Sequence, residues 1–461
     1  MPTKKINHTI KNIIIKKLFG FKDIDIKIDG NTLLLIGENG LGKTTILNIV
    51  YSVLSGKLNK INDVNFESVE ITFTDGKKIS IRKSELLSDE IIIQVNEHRL
   101  RHHRNQNYRR IHHIKRHISE ESLSKIDNYL IDHDLLNKRP SYQEIDELRE
   151  LLDVPAPIGL IEDYIEYFIE NKRKIKFLNT IKNKINQEII YFPTYRRIEE
   201  DLKNLGVNDN VIEESDNELL IQFGMDDVKN RIENVIAKIK EKSFTGYTKI
   251  AGKVITESLS KNNKKKDKIN PEVLKIVFSR ISEYVQKPDI DQVESLITNK
   301  KIYEKENKGL YILLKELTNL YKEQEILDKS ITNFAHICNK YLYGKLIKYN
   351  QSSLEIMVTN ENGNEIKLNQ LSSGEKQIVS IFSKIYLENP EKRKIVLFDE
   401  PELSLSLAWQ EKLIPDIINS GMCDLVIATT HSPFIFTNEL SEYAKPLSDF
   451  IKISNDTKRL N

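Results

Sequence analysis

Cysteine is nearly absent from this 461-residue chain. Cys338 and Cys423 are its two cysteines, and no CxxC pair occurs. That excludes a disulfide framework, argues against a zinc site and suits a reducing cytoplasm. Long apolar runs are missing as well. No stretch approaches the roughly 20 residues needed to span a bilayer, so no membrane partner is expected. The start, MPTKKINHTIKNIIIKKLFG, is basic and then apolar but has no small-residue cleavage site, so it does not read as a signal peptide. Net charge is also scarce: 70 basic residues against 68 acidic ones leave +2. Whole-chain charge therefore names no partner, and local charge has to be read instead. Charge itself is plentiful, at 30% beside 39% hydrophobic residues, the balance of a protein with long exposed helices.

The ends of the chain read as α/β. IIIKKLFGFKDIDIKI reads as strand, and TLLLIG is a short buried strand running into a Gly-rich turn. ILNIVYSVLSG has helical spacing and stops on Gly56. Two hairpins are predicted, one turning at Asp75-Gly76 and one at Asn362-Gly363. KIVLFDE and DLVIATTHS are further buried strands. Between the ends, residues 98–345 are mostly helical and highly charged. Leu310, Leu313, Leu317, Leu320, Leu327, Ile331, Phe334, Cys338 and Tyr341 predict a long amphipathic helix, either a coiled coil or a core helix, with one break at Gln324. KNNKKKDK (261–268) reads as a solvated linker. The expected layout is an N-terminal lobe over 1–97, a helical insertion over 98–345 that includes a strand near 188–197, and a C-terminal lobe over 346–461.

Four segments carry chemistry. Gly37-Glu38-Asn39-Gly40-Leu41-Gly42-Lys43-Thr44 fits GxxxxGK[ST], follows an apolar strand and opens a helix. Its backbone N–H groups and the helix dipole suit phosphate oxygens. Lys43 is expected at the β- and γ-phosphates, and Thr44 at Mg²⁺. Asp399 and Glu400 end an apolar strand, with Asp399 expected near the metal and Glu400 near the attacking water. Ser372, Ser373, Gly374 and Glu375 open a helix, either as an anion site or as a capping box from Ser372 to Glu375. His431 stands at a strand tip, where it can contact a γ-phosphate.

These segments, GENGLGKTT, LSSGEKQ, VLFDEPE and ATTHSPF, resemble the Walker A, signature, Walker B and switch-histidine motifs of ABC/SMC-type ATPases. Ser373 and Glu375 depart from the transporter form LSGGQ and are closer to the SMC/Rad50 and OLD-like forms (AAA_21 and AAA_15 types). The resemblance covers roughly residues 10–95 and 350–440. It implies an ABC-type ATPase head, with a P-loop sheet, an antiparallel subsheet and a helical, partly coiled-coil insertion. It also implies ATP and Mg²⁺ as cofactors, and a homo-oligomer built from head-to-head dimers. Each ATP would touch Gly37–Thr45 of one copy, Thr45 included, and Ser372–Gly374 of the other. Ser404 and Leu405 fall at the D-loop position without the usual Asp. Gln94 is one candidate for the Q-loop. The strand-end segment Ile190 to Arg197 is the other, with Arg196 or Arg197 expected near the nucleotide or the head–arm junction, or else solvated on a surface turn.

Residues 98–117 hold seven Arg/Lys and six of the ten histidines, with no acid among them. That block suits sequence-independent nucleic acid, an acidic protein surface or plain solvation. The long insertion argues against a transporter subunit. Only 30 residues follow His431 and they hold no acidic cluster, so a Toprim nuclease domain is not expected. The build resembles the stand-alone ATPase subunits of anti-phage systems such as PARIS, Septu or retrons, which implies a separate effector, usually a nuclease. The other reading is a Rad50/SMC-like DNA-repair ATPase.

Overall fold

The computed structural model describes residues 8–38, 40–86, 129–130, 141–150, 158–194, 225–259, 267–281 and 285–453. The early elements are β1 (Ile10–Leu18), β2 (Lys22–Lys27), β3 (Thr32–Ile36), α1 (Lys43–Ser55), β4 (Ser68–Phe73) and β5 (Lys78–Arg82). Then come α2 (Tyr142–Glu150), α3 (Ile158–Lys184), β6 (Glu188–Phe192), α4 (Met225–Leu259), α5 (Pro271–Ile281), α6 (Lys287–Thr298) and α7 (Lys308–Cys338). The last part holds β7 (Lys345–Asn350), β8 (Glu355–Asn360), β9 (Glu365–Ile366), α8 (Ser373–Leu387), β10 (Lys394–Asp399), α9 (Leu407–Asn419), β11 (Cys423–Thr430), β12 (Ala444–Pro446) and β13 (Ile451–Ile453). Contacts divide the chain into two units. The first holds Met1–Thr194, Lys394–Pro401 and Cys423–Asn461, and the second holds Tyr195–Arg393 and Glu402–Met422.

Among the described residues, the first unit has two sheets. One runs β13-β2-β1-β4-β5 and is antiparallel. The other runs β12-β3-β11-β10-β6 and is parallel throughout. Both hairpin turns expected from Asp75-Gly76 and Asn362-Gly363 form, between β4 and β5 and between β8 and β9. Alternation along the strands sends Leu33, Leu35, Ile395, Leu397, Leu425 and Ile427 into one core with Ile46, Val50 and Val53 of α1 and Ile13, Ile15, Ile71 and Phe73 of the antiparallel sheet. Each such side chain contributes about 1.5–3 kcal/mol by leaving water. Leu34, Val396, Phe398, Val426 and Ala428 point to the opposite face and are buried too. That two-sided burial explains why β10 and β11 read as continuous apolar runs rather than alternating ones. Buried Lys394 at the start of β10 donates to Glu188 at the start of β6 (3.0 Å), a charged pair that holds the register of the two strands.

The second unit is built on α7, a single 31-residue helix over most of the predicted run; it ends at Cys338, so Tyr341 lies past it. It packs along α4, α5 and α8. β7, β8 and β9 form a small antiparallel sheet of their own. None of the described helices is long and apolar enough to cross a membrane.

Candidate functional site

The register of the parallel sheet pairs Ile36 with Thr430, Asp399 with Thr429, and Phe398 with Phe192. Four strands therefore end at one level. The loop 37–42 leaves β3, Glu400 leaves β10, His431 leaves β11, and Pro193 and Thr194 leave β6, all from the carboxyl edge where α/β sheets bind ligands.

Gly37, Glu38, Gly40, Leu41 and Gly42 form the loop, and Lys43, Thr44 and Thr45 the first turn of α1. Gly42 caps that helix with φ 92°, and a Cβ there would lie 2.9 Å from the ring of Phe19, so glycine is required twice over. Among the described residues no side chain caps α1, and no acid stands in its first turn. That helix start thus presents backbone N–H groups and dipole to an anion. Lys43 is 5% exposed. Its ammonium donates to the carbonyls of Gly37 (3.0 Å) and Glu38 (3.3 Å) and to Nε2 of His431. Glu400 Oε1 lies 3.7 Å from Lys43 Nζ and 3.3 Å from His431 Nε2.

Beside this group, Asp399 is 1% exposed and accepts from three hydroxyls. Thr44 and Thr194 each donate to Oδ2 at 2.6 Å, and Thr429 donates to Oδ1 at 2.7 Å. Burial, and then the Asp399 charge, push the Tyr191 phenol far above its ordinary pKa, so it stays neutral. Glu400 is held at φ 51° while its N–H bonds the Thr429 carbonyl at 3.0 Å. Left-handed backbone at a non-glycine residue costs about 1–2 kcal/mol. Such strain at a strand tip is a mark of functional positions.

The LSSGE segment sits in the second unit, where both readings of its helix start can coexist. Ser372 caps α8, and a reciprocal box joins it to Glu375: the Ser372 N–H donates to Glu375 Oε2 at 2.7 Å. Lys345 of β7 reaches the same oxygen at 2.7 Å. Burial opposes the Glu375 charge, but Lys345 and the Ser372 N–H outweigh it and hold its pKa below the ordinary carboxylate value. Gly374 lies against α9: a Cβ there would stand 3.0 Å from the Trp409 ring and 3.1 Å from the Ser404 carbonyl. Ser404 has φ 63°, and Gln410 steadies the turn by donating to the carbonyls of Leu405 (3.0 Å) and Glu402 (3.3 Å).

Asn39, Gln94, Arg196, Arg197 and the basic block 98–117 lie outside the described residues. Thr194, Thr429, Phe19, Lys345 and Trp409 join the two groups of residues without having been singled out from sequence. Thr194 had a signal, since it follows the apolar run IIYF in the segment that holds Arg196. Lys345 and Trp409 had none, because their partners are distant in the chain. Among the described residues, no cluster of three or more His, Cys, Asp or Glu could hold a metal ion.

Curated relatives match over short stretches. A retron Vc95 probable ATPase of Vibrio cholerae serotype O1 biovar El Tor is 29% identical over 140 residues, 28% of this chain and 26% of its own. A retron Ec83 probable ATPase of Escherichia coli is 29% identical over 147 residues, 30% of this chain and 26% of its own. The aligned part is thus about a quarter of each relative's length. Among solved structures, an Smc head bound to the C-winged helix domain of ScpA is 12% identical, with 93% of this chain and 90% of that one covered at a TM-score of 0.33. A second Smc head, with an extended coiled coil and the C-terminal domain of ScpA from Pyrococcus furiosus, is 13% identical, with 93% and 91% covered and the same TM-score of 0.33. At that score the likeness carries no weight for fold or function. The family model described as AAA ATPase domain (AAA_15) matches residues 9–436, nearly the whole chain, and the protein belongs to that family.

Proposed function

We propose that the chain binds and hydrolyses ATP as a head-to-head dimer, and that this dimer governs a separate effector protein. One observation carries the first part: Lys43, Glu400 and His431 converge at a sheet edge beside the Thr44–Asp399 pair. In this reading the N–H groups of residues 37–45 and the Lys43 ammonium hold the phosphates of ATP. A hydroxyl and a carboxylate oxygen suit Mg²⁺, which keeps several waters and needs few protein ligands, so Thr44 and Asp399 would hold it. Glu400 aligns and polarises the attacking water, and His431 contacts the γ-phosphate. Ser372, Ser373, Gly374 and Glu375 complete the site of a second copy.

The test is nucleotide binding and turnover of variants. Lys43→Ala should lose ATP binding. Glu400→Gln should keep binding while turnover falls about 100-fold or more, the scale of a lost general base. Full turnover by both variants would overturn the proposal.

The similarity to retron probable ATPases motivates the second part, in which the effector, a nuclease, is encoded alongside and the insertion 98–345 conveys the state of the nucleotide site to it. Purification from the native operon is the check. Recovery of the chain alone, with phage protection unchanged in Glu400→Gln, would remove this part. A DNA-repair role is favoured by one feature, the arginine-rich block 98–117. It requires salt-sensitive DNA binding that is lost when Arg109, Arg110 and Arg116 become Ala.

A further inference from the structure

The two helix starts assigned to phosphate differ in charge. The first turn of α1 has no acid, whereas that of α8 carries Glu375. A carboxylate in the first turn favours the helix itself, but it opposes an incoming polyphosphate. Glu375 is only 7% exposed at its side chain, so water screens it poorly. Left alone, it would make the Ser372–Gly374 turn a poor anion site.

Lys345 changes that balance. Its ammonium sits 2.7 Å from Glu375 Oε2, and that oxygen also takes the Ser372 N–H. The lysine arrives on a strand that is fixed on several sides. Asn339 brackets Ile347 of β7, donating to its carbonyl at 2.9 Å and accepting its N–H at 2.7 Å. Tyr349 of the same strand donates to buried Asp328 at 2.7 Å, and Arg280 donates to Asp328 at 2.8 Å. Lys345 is thus delivered by a tethered scaffold, unlike a lysine free to roam a surface.

We propose that Lys345 is a positioning residue for the nucleotide site: it cancels the Glu375 charge, so that the Ser372–Gly374 helix start can accept the phosphates of ATP held by a second copy. This rests on the dimer reading given above. It also accounts for Glu375 standing where the LSGGQ form has a neutral Gln. The ionised side chain makes the stronger cap, and Lys345 removes its cost toward phosphate.

The test uses the full chain carrying Glu400→Gln, with Mg²⁺ and ATP, and follows dimer formation by sedimentation velocity. The variants added to it are Lys345→Ala, Glu375→Gln, and both together. Lys345→Ala should weaken ATP-dependent association about tenfold or more, the scale of one uncompensated charge near the site. Glu375→Gln retains the capping pattern and serves as the reference for the double variant. The double variant should return to that level. Melting temperatures are measured alongside. A purely structural Lys345 would lower the melting temperature and leave association of the folded chain unchanged. That result, or failure of Glu375→Gln to rescue, overturns the proposal. If Lys345→Ala dimerises as well as its parent, this inference alone falls. If the Glu400→Gln parent never dimerises with ATP, the dimer reading falls and takes this inference with it.

Discussion

At the scale of residues, Asp399 shows how a site is made from neighbours that lie far apart in the chain. Its three threonine partners come from α1, from the end of β6 and from β11. Thr194→Val keeps the volume and removes one donor from a buried carboxylate. We expect a loss of about 1–3 kcal/mol in chemical denaturation, the penalty for an unmet buried acceptor. Thr194→Ser should recover most of it. Gly374 offers a steric test in the second unit. Gly374→Ala forces a methyl group against the Trp409 ring and the Ser404 carbonyl. Overpacking of this kind costs about 1–3 kcal/mol, and the denaturation midpoint should fall accordingly. The Ser404 carbonyl is backbone and cannot turn aside as a side chain can, so replacing Trp409 as well should restore the midpoint only in part.

Among elements, α7 explains its own irregular spacing. The break at Gln324 is not a solvent-facing lapse, because that residue is 2% exposed. Gln324 accepts from Arg280 (2.9 Å) and donates to Ser243 of α4 (3.0 Å). One turn on, buried Asp328 takes bonds from Arg280, Tyr321 and Tyr349. The long helix thus trades one stretch of apolar seam for a polar network that ties α4, α5 and β7 to it. Removing one partner leaves a buried charge unpaired, so Asp328→Ala should cost about 3–5 kcal/mol. Replacing Arg280 with Met and Asp328 with Leu together should cost far less, and equilibrium unfolding of both variants checks this. The same network sets an alkaline limit. Burial, and then the Asp328 charge, raise the Tyr321 phenol to about 12. Tyr349 moves in the same direction through burial and its bond to Asp328. A folded pKa above the unfolded value of about 10 means this stabilisation is complete below pH 10 and fades as pH climbs toward the folded value. Stability should therefore drop between about pH 10 and 12, and Tyr321→Phe with Tyr349→Phe should flatten that drop.

For the whole molecule, the residues proposed to hold phosphate and the LSSGE helix belong to different units of the chain. If each copy supplies half of a site, turnover depends on encounter between copies. Specific ATPase activity should then rise with protein concentration and level off once dimers saturate, and a Lys43→Ala chain mixed with a Gly374-substituted chain should recover part of it. Activity per chain that stays constant over a hundredfold dilution would contradict this expectation. The parallel strands, the hairpins and the glycine loop were legible because their signals are local: apolar runs, glycine at tight turns and a lysine next to a threonine at a helix start. The long α7 was legible for the same reason, since a helical period needs no knowledge of its partners.

By itself, then, the amino-acid sequence determined the kind of chemistry on offer and the backbone form that carries each motif, because turn sterics, helix period and strand burial act over a few residues. Tertiary structure alone decided which residues share a site. Thr194 reaches Asp399 across 205 positions and Lys345 reaches Glu375 across 30. No local pattern encodes such pairs, since strand register and helix packing are settled only when the whole core closes.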